Sequence, residues 1–313
     1  MKIVFFGNAD FGLHALKSLV QSPDHEIIAV VTNPNNKVSR NKKRLNPVRK
    51  FALNNSIKLI EQDDISEKHF IENLKKKKAD IFLVVAYKII PKEIYNIPKY
   101  GAINIHASLL PQYRGAAPIQ RALMNGDNST GISTFFINEK IDRGELIYQK
   151  KVPIKNSDSF EDLWIRLSKE GPAAIKRTLE LIEIGQKELV DGSELKASYA
   201  LKINKDELRI NWSEKASLIY NKIRALSPYP CMYTTYHNKR IKIVSSQISN
   251  NESIDKGKPG SFALIDGRLF VCCFEGFIEI LELIPESKGI LSAQEFINGF
   301  LSNSKSPEIE AFK

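Results

Sequence analysis

Through its first 190 residues the chain alternates short apolar runs with stretches whose apolar residues recur every three or four positions. Residues 2–7 (KIVFFG), 26–32 (EIIAVVT) and 79–86 (ADIFLVVA) are apolar at nearly every position. That is the composition of strands in a parallel sheet covered by helices on both faces. A further short strand is expected at 58–60. Helical spacing links Phe11, Leu13, Leu16, Leu19 and Val20, and helices are also expected over 47–54, 65–74, 91–95 and 159–184. Residues 133–137 and 145–152 read as strands joined through a turn at Asp142-Arg143-Gly144. Strand and helix in alternation predict an α/β fold built on a Rossmann-like, mostly parallel sheet.

After Gly185 the texture changes. Residues 186–206 are polar, lack a clear period and suit a linker. A helical pattern over 213–226 ends at Pro228-Tyr229-Pro230, and from Met232 onward short β-like runs follow, punctuated by Asn238, Gly260 and Asp266-Gly267. Strands this short and this evenly spaced predict a second, smaller C-terminal β-barrel, OB-like in size. Ser292, with Glu295 three residues on, marks the capped start of a terminal helix over 292–301. The expected division is a first domain over 1–189, a linker over 190–206 and a β-barrel domain over 207–313.

Bulk composition narrows the class. At 313 residues with 42% hydrophobic and 26% charged residues, the chain has material for two ordinary globular domains. It contains no apolar run long enough to span a bilayer. The apolar start lacks a small-residue cleavage site, so no export signal is expected. Cys231, Cys272 and Cys273 match no metal spacing and two of them are adjacent, which points to a reducing, cytoplasmic setting and to no metal. The net charge of +10 is unevenly spread: residues 1–190 hold 30 Lys and Arg against 21 Asp and Glu, whereas 191–313 hold 16 against 15. Lys37, Arg40, Lys42, Lys43, Arg44, Arg49 and Lys50 fall within fourteen residues that contain no acid. Such a segment is either a solvated face or the footprint of a polyanion such as RNA. The other basic run, Lys75–Lys78, closes an amphipathic helix, where cations suit the C-terminal dipole.

Candidate chemistry concentrates in residues 101–121, GAINIHASLLPQYRGAAPIQR. Asn104 and His106 are two apart on an expected strand, so they share a face at its carboxyl end, where open α/β sheets bind ligands. Asp142, at a tight turn between two strands, can reach the same edge of the sheet. An amide donor, an imidazole and a carboxylate form a toolkit for acyl transfer, one holding the developing oxyanion while the others move protons. The first glycine-rich turn, GNADFG over 7–12, lacks the middle glycine of a dinucleotide fingerprint. No acid follows the second strand to hold a ribose, so nicotinamide binding is not expected.

The blocks NIHASLLPQYRGAAPIQRAL, GISTFF and IDRGELI, in that order, resemble the 10-formyltetrahydrofolate-dependent formyltransferases. FFGNADFG, VVAYKIIP, RINW, LSPYP, GKPG and LSAQEF extend the similarity over nearly the whole chain. Within that family, RGAAPIQR is most similar to the branch whose acceptor is methionine on initiator tRNA. The resemblance implies 10-formyltetrahydrofolate as donor co-substrate and initiator methionyl-tRNA as partner; no membrane partner is expected, and since nothing in the sequence suggests an obligate oligomer, a monomer is expected. It implies that Asn104 and His106 stabilise the oxyanion and that Asp142 orients the imidazole and helps to deprotonate the amine. Ala86, Tyr87, Lys88, Ile89 and Ile90 are implied to line the pterin pocket, and Ser108, Leu109, Leu110 and Pro111 the loop beside the folate. Lys37, Arg40, Lys42, Lys43 and Arg44 are implied to meet the tRNA acceptor stem, Arg40 foremost, with the β-barrel domain holding the tRNA body. A basic stripe there is offered by Lys239, Arg240 and Lys242.

The chain departs from the family pattern in places. It has GNADF where G-T-P-D/E-F is usual, a less rigid turn, and VVAYKIIP lacks the glycine that commonly follows the tyrosine. From the residues alone, two other readings stay open. One is the same transfer to a small amine, such as an amino-sugar nucleotide or a ribosyl glycinamide, which needs neither the cationic segment nor the second domain. The other is a basic RNA-binding protein without catalysis, which leaves the shared face of Asn104 and His106 unexplained.

Overall fold

A computed structural model of the chain describes residues 1–34, 46–187, 196–249, 257–301 and 311–312. It contains two compact units, one of Met1–Pro118, Ser129–Pro153 and Trp164–Leu201, the other of Ile119–Asn128, Ile154–Leu163 and Lys202–Lys313.

In chain order the elements of the first part are β1 (Lys2–Gly7), α1 (Asp10–Gln21), β2 (Glu26–Thr32), α2 (Pro47–Asn54), β3 (Leu59–Glu61), α3 (Lys68–Lys76), β4 (Ile81–Val85), α4 (Lys92–Tyr95), β5 (Ala102–His106) and the two-residue β6 (Arg114–Gly115). Then come α5 (Pro118–Met124), β7 (Ser129–Phe136), β8 (Leu146–Pro153), α6 (Phe160–Glu183) and the two-residue β9 (Tyr199–Ala200). Seven strands form one sheet in the order β3-β2-β1-β4-β5-β7-β8. Its pairs from β3 to β5 are parallel, and β7 and β8 add an antiparallel edge. The apolar runs account for this: β4 is buried at all five positions, as a central strand with helices on both faces must be.

Two local features differ from expectation. A Cβ on Gly7 would lie 2.6 Å from the Phe5 ring and 3.1 Å from the Val85 carbonyl oxygen, so the first glycine turn serves packing of β1 against β4. Asn8 does not loosen the turn; its Oδ1 accepts from the Asn33 amide at 2.8 Å and from Asn46 Nδ2 at 3.1 Å. Asn46 in turn caps α2 by accepting from Val48 and Arg49 amides, with Pro47 at the first helical position.

The second unit holds α7 (Ala216–Leu226), β10 (Met232–Tyr236), β11 (Lys239–Ser249), β12 (Phe262–Ile265), β13 (Arg268–Cys272), β14 (Phe277–Pro285), β15 (Leu291–Ser292) and α8 (Ala293–Phe296). Its strands pair antiparallel in the order β10-β11-β14-β13-β12, with β15 on β14. This is the β-rich domain expected from the short strands. Ile219 and Ile223 of α7 share its core with Ile243, Leu269, Ile280 and Leu283. Trp212 belongs to the same core and donates from Nε1 to Thr234 Oγ1 at 3.1 Å. Ser292 and Glu295 form the expected capping box, but the regular α-turns stop at Phe296 and a π turn, Ile297–Leu301, follows.

Arg121 on α5 makes a two-pronged pair with Glu207, Nη1 to Oε2 at 2.6 Å and Nη2 to Oε1 at 3.1 Å. That guanidinium, together with the Asn204 amide, holds the Glu207 carboxyl below the usual glutamate range. A carboxyl depressed on folding stabilises above its unfolded value and loses that contribution as pH falls through the folded one. Glu207→Ala should therefore cost about 0.5 kcal/mol at neutral pH, the size of a solvent-screened pair. The gap to the unmodified chain in urea unfolding should close as pH drops below the ordinary value of 4.5.

Candidate active site

Strand β5 delivers Asn104 and His106 to the carboxyl edge of the sheet, as alternation requires. Asn104 pairs in register with Val84 of β4 and Phe135 of β7, and His106 with Ser133 of β7. The imidazole is buried, and its Nε2 lies 2.8 Å from the Tyr113 carbonyl oxygen. A carbonyl can only accept, so Nε2 carries the hydrogen and Nδ1 is the nitrogen turned toward Asp142. Nδ1 and Asp142 Oδ2 are 3.7 Å apart, with both side chains less than one-tenth exposed.

Asp142 is fixed from several directions. Its Oδ2 accepts from the Gly115 amide at 2.8 Å, and its carbonyl accepts from Arg114 Nε at 2.9 Å. It adopts the left-handed conformation, φ 51°, which aspartate tolerates better than most residues. Nearby, Asn138 accepts from the Lys140 amide and donates to the Arg143 carbonyl, shaping the turn from within. Gly144 closes it: a Cβ there would sit 1.5 Å from the Phe136 carbonyl oxygen, so the chain has room for no side chain as it turns back into β8.

Asn104 and Asp142 both line a narrow cleft with Lys88, Ile89 and Ile90. Its other walls are Val84, Phe135, Ile137 and the turn from Asn138 to Ile141. The cleft is open to solvent and has a volume of about 70 Å³. Ile89 and Ile141 are largely exposed beside it. Lys88 is held back by Asp63, whose Oδ1 and carbonyl it contacts.

Of the residues expected around a pterin, Lys88, Ile89 and Ile90 reach the cleft, whereas Ala86 and Tyr87 are not part of its lining. Tyr87 instead packs its ring edge on Phe6 at 5.6 Å, and burial pushes its phenol up to about 12. Ser108, Leu109, Leu110 and Pro111 form the loop after β5 but do not line this cleft either. Ser108 Oγ donates to the Gln112 carbonyl, and Leu109 packs on Gly131.

That loop rests on two residues the sequence did not single out. Ser133 Oγ donates to the Ser108 carbonyl at 2.7 Å and accepts from the Leu110 amide at 2.9 Å. Gln149 donates to the Leu110 carbonyl and to Ser133 Oγ, both at 2.7 Å. His106, Ser133 and Gln149 form one row across β5, β7 and β8. Only strand register reveals such a row, because the three residues are far apart in sequence.

Lys37, Arg40, Lys42, Lys43 and Arg44 lie outside the described residues. Of the same basic segment, Arg49 lies on α2 and is paired with Glu61 at 2.8 Å, so it is no longer an uncommitted cation. In the second unit, Arg240 and Lys242, which share a face of β11, line a groove of about 690 Å³ together with Arg209 and Tyr233. The Arg240 guanidinium lies 4.3 Å from the centre of the Tyr233 ring. Lys239, on the opposite face of the strand, is not part of that groove. Among the described residues no group of three or more His, Cys, Asp or Glu side chains is placed to hold a metal ion, and no helix is long and apolar enough to cross a membrane.

Two family models match, one described as formyl transferase over residues 1–179 and one as formyl transferase, C-terminal domain, over 202–301. The chain is similar to the methionyl-tRNA formyltransferase of Thermodesulfovibrio yellowstonii, 38% identical over 301 residues that cover 95% of each chain. It is also similar to that of Caldicellulosiruptor saccharolyticus, 39% identical over 305 residues, covering 96% of this chain and 97% of the relative. Among solved structures, the N-formyltransferase from Helicobacter canadensis with folinic acid and dTDP-3-aminofucose superposes with a TM-score of 0.66 at 23% identity, covering 90% of this chain and 98% of that one. HypX from Aquifex aeolicus in complex with tetrahydrofolic acid gives 0.65 at 16% identity, covering 100% of this chain and 50% of that one. These structures share the fold.

The close approach at Gly144 is testable without reference to activity. A clash with backbone cannot be relieved by a side-chain rotation, so Gly144→Ala should destabilise the chain by about 2 kcal/mol or more in urea unfolding. Gly289→Ala, where nothing lies within 4 Å of the added carbon, should stay within about 0.5 kcal/mol.

Proposed function

The chain belongs to the formyl transferase family, and on that premise we infer that it transfers a formyl group to the α-amino group of methionine carried by initiator tRNA, for translation initiation. The donor in this reading is 10-formyltetrahydrofolate, and no metal takes part. The observation that carries it is that Asn104 and Asp142 line one cleft while the His106 imidazole lies 3.7 Å from the same Asp142 carboxylate.

The cleft suits a flat heteroaromatic ring with a reactive nitrogen. Val84, Ile90, Phe135 and Ile137 offer apolar faces, and Asn104 and Asp142 add polar groups to the same lining. A bound donor supplies the formyl carbonyl. Asn104, whose amide makes no hydrogen bond to another described residue, is available to donate to the carbonyl oxygen as negative charge grows there. His106 supports the same charge when its Nδ1 also carries a proton, because the ring is then cationic. With Nε2 committed to Tyr113, Nδ1 is the position that gains or releases a proton, and Asp142 stands beside it to receive the proton lost by the attacking amine. The proton balance is simple: the amine loses one, and the departing folate nitrogen gains one. The amine is itself the nucleophile, so no covalent enzyme intermediate is needed.

The acceptor accounts for the charge. Lys37, Arg40, Lys42, Lys43 and Arg44 are proposed to meet the acceptor stem, and the groove of Arg209, Arg240 and Lys242 to hold another part of the tRNA backbone. The catalytic domain is proposed to span 1–189, the linker 190–206 and the tRNA-binding domain 207–313, in a monomer acting in the cytoplasm.

The direct test offers labelled 10-formyltetrahydrofolate with charged initiator tRNA and, in parallel, with free amines; transfer to the tRNA alone is expected, and transfer to free amines alone would overturn the reading. In that assay His106→Ala should lower turnover on the order of 10²-fold or more, as loss of an oxyanion donor does. Near-normal turnover would remove His106 from the mechanism. Arg40→Ala should raise the KM for tRNA several-fold at moderate salt and leave donor binding unchanged. An equal effect on both would place Arg40 at the donor site instead.

A further inference from the structure

Within the proposed linker, residues 198–200 are built onto the loop that runs from Pro111 to Ala117. Tyr199 and Ala200 form β9, which pairs parallel with Arg114 and Gly115 of β6. Immediately before it, Ser198 makes three hydrogen bonds to the loop. Its Oγ accepts from the Tyr113 amide at 2.9 Å, its carbonyl accepts from the Arg114 amide at 2.9 Å, and its own amide donates to the Pro111 carbonyl at 3.3 Å. Farther along, the Ala200 carbonyl accepts from the Ala117 amide at 3.1 Å. That carbonyl lies 2.8 Å from where a Cβ on Gly115 would be, which is why β6 ends in glycine at φ 121°. Tyr199 also contacts Arg143, hydroxyl to Nη2, beside Asp142.

The residues clamped in this way are those that hold the two catalytic side chains. Tyr113 supplies the carbonyl that binds His106 Nε2, Gly115 the amide that binds Asp142 Oδ2, and Arg114 the guanidinium on the Asp142 carbonyl. Tyr113 is itself in the left-handed region at φ 59°, a conformation that is strained for a bulky residue and persists only where its surroundings over-determine it. The Ser198 hydroxyl holds the amide of Tyr113, while His106 binds the carbonyl.

We propose that Ser198 is a positioning residue for formyl transfer: its hydroxyl fixes the left-handed Tyr113 peptide and through it the tautomer and orientation of His106. Tyr199 and Ala200 complete the same strap. The proposal deepens the formyltransferase reading and rests on it for its kinetic consequence, but its geometric core concerns the imidazole alone. The strap is also the covalent route onward, since Leu201 ends the first unit and Lys202 begins the last segment of the second.

The experiment compares the full-length chain with Ser198→Ala and Ser198→Thr. With Ser198→Ala, kcat for formylation of initiator methionyl-tRNA should fall about 5- to 10-fold, the loss of one positioned hydrogen bond. Both KM values should stay within about twofold and the melting temperature within about 2 °C. Ser198→Thr, which keeps the hydroxyl, should restore kcat. In ¹⁵N spectra of the imidazoles, the Nε2–H signature of His106 should be lost or broadened in Ser198→Ala and return in Ser198→Thr. Unchanged kcat with an unchanged His106 signal overturns the proposal, as does a loss that threonine fails to restore or that tracks a fall in melting temperature. If the unmodified chain fails to formylate the tRNA, the functional reading falls, and the imidazole spectra still decide whether Ser198 holds the ring.

Discussion

The hydrogen bond from His106 Nε2 to the Tyr113 carbonyl fixes the imidazole and leaves its Nδ1 turned toward Asp142. A free histidine interconverts tautomers and turns about two torsions. Here one nitrogen is spoken for, and the other is held 3.7 Å from a carboxylate. Much of the neighbouring architecture serves that bond. The loop after β5 must bend back to present the Tyr113 carbonyl, so Ser133 and Gln149 tether its first half and Ser198 its second. Asp142 must arrive from the other side, so the β7–β8 turn tightens until only glycine fits at 144.

Charge is balanced at the cleft and one-sided elsewhere in the sequence. Val84, Ile90, Phe135 and Ile137 line the cleft beside Lys88, Glu139, Lys140 and Asp142, two charges of each sign, whereas residues 37–50 carry seven cations and no acid. Opposite charges close together cancel at a distance, so the cleft exerts little long-range pull. A polyanion can meanwhile be gathered by long-range attraction that fades with salt. Pairing of Arg49 with Glu61 trims the cationic segment at its helical end.

Strands, helices and the two-part organisation were legible in the sequence because uninterrupted apolar runs and amphipathic periods report burial directly. The approach of His106 to Asp142, and the presence of Asn104 and Asp142 on one cleft, were legible for a related reason: alternation and a turn at a strand end constrain where side chains go. The supporting shell was not. Ser133 and Gln149 depend on strand register across three strands. Asn8 works by reaching two residues distant in sequence, and Ser198 immediately precedes a two-residue strand too short to show any alternation. The lining residues were half legible: Lys88, Ile89 and Ile90 reach the cleft, whereas the ring of Tyr87 turns into the core against Phe6.

The lining of the cleft carries an energetic consequence. Ile89 and Ile141 line the cleft and stand largely exposed. Burying apolar surface is worth about 25 cal/mol per Å², so whatever covers both side chains gains affinity whether or not it touches Asn104 or Asp142.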